Sequence, residues 1–368
     1  MIPETSPSER HLERATAMNL RKIPVSLITG FLGSGKTTLL NCLLRDPLLR
    51  NVLVLINEFG EIGLDHHLVE SVDGDLMVMT SGCLCCTIQT DLAKTLHGMA
   101  IRRAEGEVPA FQRVVLETTG LADPAPIIHT LMQNSLIAAQ YRLDGVISTV
   151  DAVNGSVQLD RQPEALKQAA MADRMVLTKT DLATSHAEEA LRQRLRALNP
   201  AAPILASARG EAEPPRLFDA GLYNPNTKSL DVRRWLNAAA YETHRDVGHA
   251  HAHGEDGHPD VNRHDSSIRA LCLAVEQPIE WKSFAAWAQD LADRHGASLL
   301  RLKAILNSRD HARPLVVHGV QHLFHPVVEL PAWPDDDRRS RIVLITRDLN
   351  TADIEAQLRA HLGVRQAA

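Results

Sequence analysis

The sequence predicts an α/β fold: a doubly wound, mostly parallel sheet followed by a smaller α+β unit of order β-α-β-β-β-α. Three observations predict it. Between residues 24 and 207, short runs rich in Val, Ile and Leu alternate with helical stretches. These runs lack polar alternation, which means strands covered on both faces and joined by crossover helices. Third, residues 243 to 265, "THRDVGHAHAHGEDGHPDVNRHD", abandon apolar periodicity for His, Gly and Asp, and a second series of strands and helices follows.

Taken in order, the strand candidates of the first series are "PVSLITG", "NVLVLINEF", "DLMVMTSG", "RVVLETTG", "YRLDGVISTVDA", "RMVLTKTD" and "PILAS". Of the intervening helices, "KTTLLNCLLRDP" places apolar residues at i, i+3 and i+4, and "SHAEEALRQRLRALNP" reads as a helix opened by a Ser185-x-x-Glu188 capping box and stopped before Pro200. Residues 229 to 242 read as another helix. In the second series, "SIRALCLAVEQP", "LLRLKAILN", "PLVVHGVQHLFHPVVEL" and "RIVLITRDL" read as strands, with helices at "WKSFAAWAQDLADRHG" and "TADIEAQLRAHLG". One sheet with helices on one face is expected. The resulting organisation is a mobile N-terminal extension at 1–22, a first domain at 23–228, a helix and His-rich flexible linker at 229–266, and a C-terminal domain at 267–364.

Composition narrows the function. A net charge of −6 disfavours a polyanion-binding surface, and aromatic residues, at 4%, are too sparse for base-stacking platforms, so no nucleic-acid partner is expected. Apolar runs are strand-sized, so no membrane association is expected either. Five cysteines, three of them within "CLCC", do not form a disulfide framework, and a cytoplasmic, reducing setting fits.

The phosphate site is written in "GFLGSGKTT", which matches G-x-x-x-x-G-K-[ST] from Gly30 to Thr37 with a strand before and a helix after. This is the signature of a P-loop NTPase. Gly30, Gly33, Ser34, Gly35 and Thr38 belong to the cradle, whose backbone N–H groups wrap phosphate oxygens at a helix N-terminus. Lys36 is expected to reach the β- and γ-phosphates, and Thr37 to sit on Mg²⁺. In "VVLETTG", Glu117 ends an apolar strand as a second Mg²⁺-side acid, and Gly120 offers a backbone N–H to the γ-phosphate. Lys36, Thr37 and Glu117 are therefore the catalytic candidates.

Base choice is assigned to "TKTD". Asp181 accepts from the guanine N1–H and 2-amino groups while the Lys179 stem packs along the base. Thr178 stands where the usual GTPase pattern has Asn. The blander reading is that Asp181 merely starts the next loop. "SAR", Ser207 to Arg209, resembles the loop that contacts the guanine oxygen.

The thiols come next. Cys83, Cys85 and Cys86 are too closely spaced for a closed structural zinc knuckle, but two or three thiolates with an unfilled position make a site able to hold and release a soft or borderline ion. Cys42 and Cys272, on apolar faces, are read as packing residues. His249, His251, His253 and His258 are candidate weak metal ligands, with a solvated His-rich linker as the alternative. His66 and His67 are read as surface residues, with auxiliary metal ligands as the alternative, and His318, His322 and His325, alternating along strands, as surface or interface residues.

"GFLGSGKTTLLN", "NEFGEIGLD", "GCLCC", "ETTGLADP" and "TKTD", in this order, resemble the CobW family of GTP-dependent metallochaperones, and the smaller unit resembles that family's C-terminal domain. The resemblance spans residues 24 to 363. It implies a GTPase in which Mg²⁺-GTP shapes a cysteine site for zinc, or cobalt, and hydrolysis releases the ion to a client metalloprotein. "NEFG", with Glu58, would be the coupling switch, and a nucleotide- or metal-dependent homodimer is a further expectation. Two alternatives remain: a P-loop kinase or ATPase, and a zinc buffer indifferent to nucleotide.

Overall fold

The structure, a computed structural model, describes residues 22–57, 76–81, 88–218, 267–334 and 336–363. The chain divides into two compact units, one for each of two sheets.

All seven apolar runs of the first series form strands: β1 (Ile23–Gly30), β2 (Val52–Asn57), β3 (Leu76–Ser81), β4 (Arg113–Glu117), β5 (Tyr141–Asp151), β6 (Arg174–Thr178) and β7 (Ile204–Ser207). They make one sheet in the order β3-β2-β4-β1-β5-β6-β7, and every pairing is parallel. Chain direction reverses its lateral march around β1, so the crevice at the carboxyl edge lies where ligands bind in doubly wound sheets. The register carries the predicted motifs to that edge, pairing Ile28 with Glu117, Gly30 with Thr149, and both Asp151 and Ser207 with Thr178.

Helix α1 (Lys36–Leu44) covers one face with Leu39, Leu40, Leu43 and Leu44, packed in a cluster with Ile28, Val54, Ile56, Val115, Ile147 and Val176. Each such buried side chain contributes about 1.5–3 kcal/mol. The longer helix α2 (Ile88–Ala104) buries Leu92, Leu96 and Met99, and α3 (Ala125–Gln133) buries Ile127, Ile128 and Leu131. Then come α4 (Ser135–Gln140), whose N-cap Asn134 accepts from the Leu136 and Ile137 N–H groups, α5 (Gly155–Arg161), and α6 (Pro163–Met171), which starts with its proline where no N–H is needed. Helix α7 (Ser185–Leu198) corrects the expected capping box. Thr184 is the cap, its Oγ1 accepting the Ala187 N–H at 3.3 Å, while Glu188 pairs with Arg192 one turn on at 2.7 Å. A short α8 (Pro214–Leu217) ends the unit as described.

At the opposite, amino edge of the sheet, Asp144 is buried between Arg113 (2.6 Å) and Arg142 (3.4 Å) and accepts from Ser26 Oγ at 2.8 Å. Burial pushes its carboxyl up, but the two guanidinium groups and the hydrogen bonds outweigh this and hold it below its ordinary value.

The second unit is antiparallel: β8 (Ile268–Val275), β9 (Leu299–Leu306), β10 (Leu315–Val320), β11 (Leu323–Phe324), β12 (Val328–Glu329) and β13 (Ser340–Arg347), with helices α9 (Trp281–His295) and α10 (Thr351–Leu362). The sheet order is β11-β10-β9-β13-β8, with β12 also on β10. One sheet face packs on both helices, through Leu273, Leu302, Ala304, Val317 and Leu344 against Phe284, Trp287, Leu291, Ile354 and Leu358.

Two expectations change here. The run 314–330 is not one strand: Gln321 takes a left-handed φ of 54°, Val320 and Leu323 pair across the turn, and the chain returns to lay Glu329 against Leu315. Of the three histidines read as surface or interface residues, only His322 is exposed; His318 and His325 are buried within the unit, where the reversal stacks their rings edge to face at 6.5 Å. Cys272 is buried in β8 and its thiol is pushed up to about 12 by that burial, in keeping with a packing role. The expected helix at 229–242 lies outside the described residues.

Candidate nucleotide site

The turn after β1 is shaped by left-handed glycines. Gly33 (φ 70°) and Gly35 (φ 87°) adopt conformations that side chains rarely take, and at Gly30 (φ 142°) a Cβ would lie 2.2 Å from Thr149 Oγ1. β5 therefore floors the loop. Ser34 Oγ and Thr149 Oγ1 are 2.6 Å apart, and Thr149 Oγ1 also donates to the Thr29 carbonyl. Lys36, nearly buried, donates Nζ to the carbonyls of Gly30 (3.1 Å) and Phe31 (3.3 Å), so its ammonium is held within the cradle. Gly33 and Thr38 are exposed at the same turn.

Residues 37 and 117 meet. Thr37 Oγ1 donates to Glu117 Oε1 at 2.7 Å, and Glu117 is itself buried. A hydroxyl and a carboxylate at this spacing beside a phosphate cradle have the oxygen-donor chemistry that Mg²⁺ prefers. Beyond Glu117 the chain runs close over the P-loop: a Cβ on Gly120 would lie 2.6 Å from the Leu32 backbone nitrogen.

"TKTD" sits at the end of β6. Thr178 Oγ1 donates to the Ser34 carbonyl (2.7 Å) and approaches that of Val150 (3.2 Å), so the residue that replaces the usual Asn ties strand to P-loop. Lys179 has a left-handed φ of 57° and donates Nζ to the Gly33 carbonyl (2.8 Å) and to Asp151 Oδ2 (2.7 Å). Asp181 is exposed in the turn that follows. Past β7, Arg209 (φ 52°) and Gly210 (φ 83°) fold over α1, where the partly exposed Cys42 places Sγ 3.7 Å from the Arg209 carbonyl.

Two residues of this neighbourhood escape sequence reasoning. Asp151 ends β5 almost fully buried, accepting from Lys179, from the backbone N–H groups of Val153 and Asn154, and from Asn154 Nδ2. Burial works to raise its pKa, yet these four donors hold it low. An acid closing an apolar strand at the same edge as Glu117 and Asp181 was the available signal. Gln168, in an alanine-rich helix, gives none.

Cys83, Cys85, Cys86, Glu58, His66, His67, His249, His251, His253 and His258 lie outside the described residues. Among the described residues no three His, Cys, Asp or Glu side chains gather as a metal site, and no helix is long and apolar enough to cross a membrane.

Comparison with known proteins places this geometry. Residues 24–206 match the CobW/HypB/UreG nucleotide-binding domain, and residues 268–362 match the cobalamin synthesis protein cobW C-terminal domain. The chain belongs to the CobW family. Within it, the chain is 30% identical to the zinc chaperone YjiA of Escherichia coli over 94% of this chain and 100% of the relative. It is also 30% identical to the zinc-regulated GTPase metalloprotein activator 1 of Schizosaccharomyces pombe, over 90% of this chain and 84% of that one. The crystal structure of Zn(II)-bound YjiA GTPase superposes with a TM-score of 0.68 at 27% identity, covering 94% of this chain and 99% of the other. The CobW fold thus accounts for both sheets, the P-loop type and the antiparallel one.

Proposed function

We propose that the chain is a GTP-hydrolysing zinc metallochaperone that binds the ion at Cys83, Cys85 and Cys86 and delivers it to a client metalloprotein. The observation that carries this reading is the convergence of Lys36, the Thr37–Glu117 pair and the Thr178–Lys179 turn at one sheet edge, in a chain that is 30% identical to a named zinc chaperone along that relative's full length. Lys36 turns from loop carbonyls to phosphate oxygens. Thr37 and Glu117 would hold Mg²⁺, which would supply charge neutralisation at the transferring phosphoryl group. Gly120 offers its N–H to the γ-phosphate, and Asp181 with Lys179 selects guanine.

Support for the thiol site comes from sequence and topology together. β3 ends at Ser81, two residues before Cys83, and pairs with β2 to that end, so the chain leaves the sheet on the edge where Glu117 ends β4. Three thiolates leave a coordination position open, suiting transfer over storage. Cobalt fits the same ligands. The His-rich segment adds weak equivalents through His249, His251, His253 and His258, and a nucleotide- or metal-dependent homodimer belongs to the same reading.

The test is a metal titration with and without Mg²⁺ and a non-hydrolysable GTP analogue. Tighter metal binding with the analogue than with GDP, by about 5- to 150-fold and reciprocated in nucleotide affinity, is expected of coupled sites. Equal metal affinity in all nucleotide states would favour the buffer, and ATP displacing GTP would favour an ATPase or kinase.

A further inference from the structure

The segment after Glu117 is gripped from two sides. On one, Gly120 is packed so tightly that a Cβ would lie 2.6 Å from the Leu32 nitrogen and 2.7 Å from its Cα. On the other, helix α6 supplies Gln168, 1% exposed, whose Nε2 donates to the Gly120 carbonyl at 3.1 Å and the Ala122 carbonyl at 2.9 Å. The neighbouring Lys167 reaches Asp123 Oδ2 at 2.5 Å, while Asp123 Oδ1 accepts the Ala125 N–H that opens α3.

Gln168 spends both its N–H groups on this loop, and its Oε1 is buried without a hydrogen-bond donor. Turning the amide over would set that oxygen against two carbonyls, so the orientation is fixed. A buried amide with an unsatisfied oxygen is costly, and an apolar residue would fill the same place in a helix without that cost. What the glutamine does that an apolar residue cannot is hold the Gly120 carbonyl, and with it the peptide plane beside the expected γ-phosphate.

We propose that Gln168 is a positioning residue for the γ-phosphate loop, acting with the Lys167–Asp123 pair to set Gly120 for a nucleoside triphosphate. The inference rests on the GTPase reading above. A diphosphate has no group to meet Gly120, so the clamp acts on triphosphate alone. A residue that only supported the fold would affect both nucleotides alike.

The experiment uses the full chain and compares the wild type with Gln168→Leu and Lys167→Met. The readouts are calorimetric affinities for a non-hydrolysable GTP analogue and for GDP, kcat and KM for GTP, and urea denaturation. Gln168→Leu should weaken the analogue by about tenfold, the size of one or two lost neutral hydrogen bonds, and lower kcat, with GDP affinity within about twofold. Lys167→Met, at a part-exposed position, should shift the same ratio in the same direction by a smaller factor. Analogue and GDP falling together, or neither moving, would overturn the proposal. If Gln168→Leu does not fold, Lys167→Met decides by the same ratio. A wild type that neither binds nor hydrolyses GTP sinks the GTPase reading itself; a working wild type with an unmoved ratio sinks the clamp alone.

Discussion

Thr178→Val isolates one hydroxyl. Valine matches threonine in shape, so the substitution opens no cavity. What disappears is the donor to the Ser34 carbonyl at 2.7 Å, shared with Val150 at 3.2 Å. One hydroxyl hydrogen serves both oxygens, so the loss counts as one good bond. Its net worth is about 1 kcal/mol, and stripping a buried carbonyl of its partner brings the cost to about 2 kcal/mol. Because the bond lies within the fold and joins two parts of the nucleotide site, this cost divides between folding and binding. Urea denaturation without nucleotide, together with calorimetric GDP titration, should recover about 2 kcal/mol in sum, or roughly thirtyfold if all of it fell on affinity. If stability and GDP affinity both stay within about 0.5 kcal/mol of wild type, Thr178 does not tie the base motif to the P-loop, and its reading as the stand-in for Asn fails.

Lys36→Ala should abolish GTP turnover, because transition-state charge loses its cation; near-wild-type phosphate release would remove the enzyme assignment. Asp181→Asn should weaken guanine preference by about 1–3 kcal/mol, read as the GTP-to-ATP affinity ratio, and an unchanged ratio would make "TKTD" only a turn. Acid stability should follow Asp144: a carboxyl depressed below its ordinary 3.8 stabilises the fold above that value, and the contribution is lost as pH falls through the folded pKa. Asp144→Asn should therefore cost about 3–5 kcal/mol at neutral pH, since it leaves buried guanidinium charge uncompensated, and should flatten the acid limb of a urea-monitored stability profile. An acid limb as steep as wild type would assign the pH dependence elsewhere.

Much of this could be read without coordinates, for a physical reason. Strands buried on both faces announce themselves as continuous apolar runs, so β1 to β7 were legible one by one. The P-loop was legible because its backbone needs glycine at fixed offsets within eight residues. Thr37 and Glu117 are 80 positions apart, yet both motifs ended strands, and parallel pairing of Ile28 with Glu117 does the rest. Illegible features were those decided by tertiary partners. Thr184 and Ser185 are equally good caps on paper, and only the bond to Ala187 chooses between them. His318 and His325 read as surface or interface residues until a turn at Gln321 stacks one on the other. Asp151 was a polar end to an apolar run, and its role appears only once Lys179 folds back onto it.

The Lys36 ammonium leans on its own loop through the Gly30 and Phe31 carbonyls. An arriving polyphosphate is in competition with the protein's own backbone for that cation, and the affinity measured is the difference between two sets of bonds. One charge-assisted bond of this kind is worth about 1.5–3 kcal/mol, so each takes roughly one or two decades off the tightness that an unengaged lysine would give. The same contacts stand ready to take the ammonium back when the phosphate leaves. A phosphate therefore gains less from Lys36 than it would from an unengaged ammonium, and its departure costs correspondingly less.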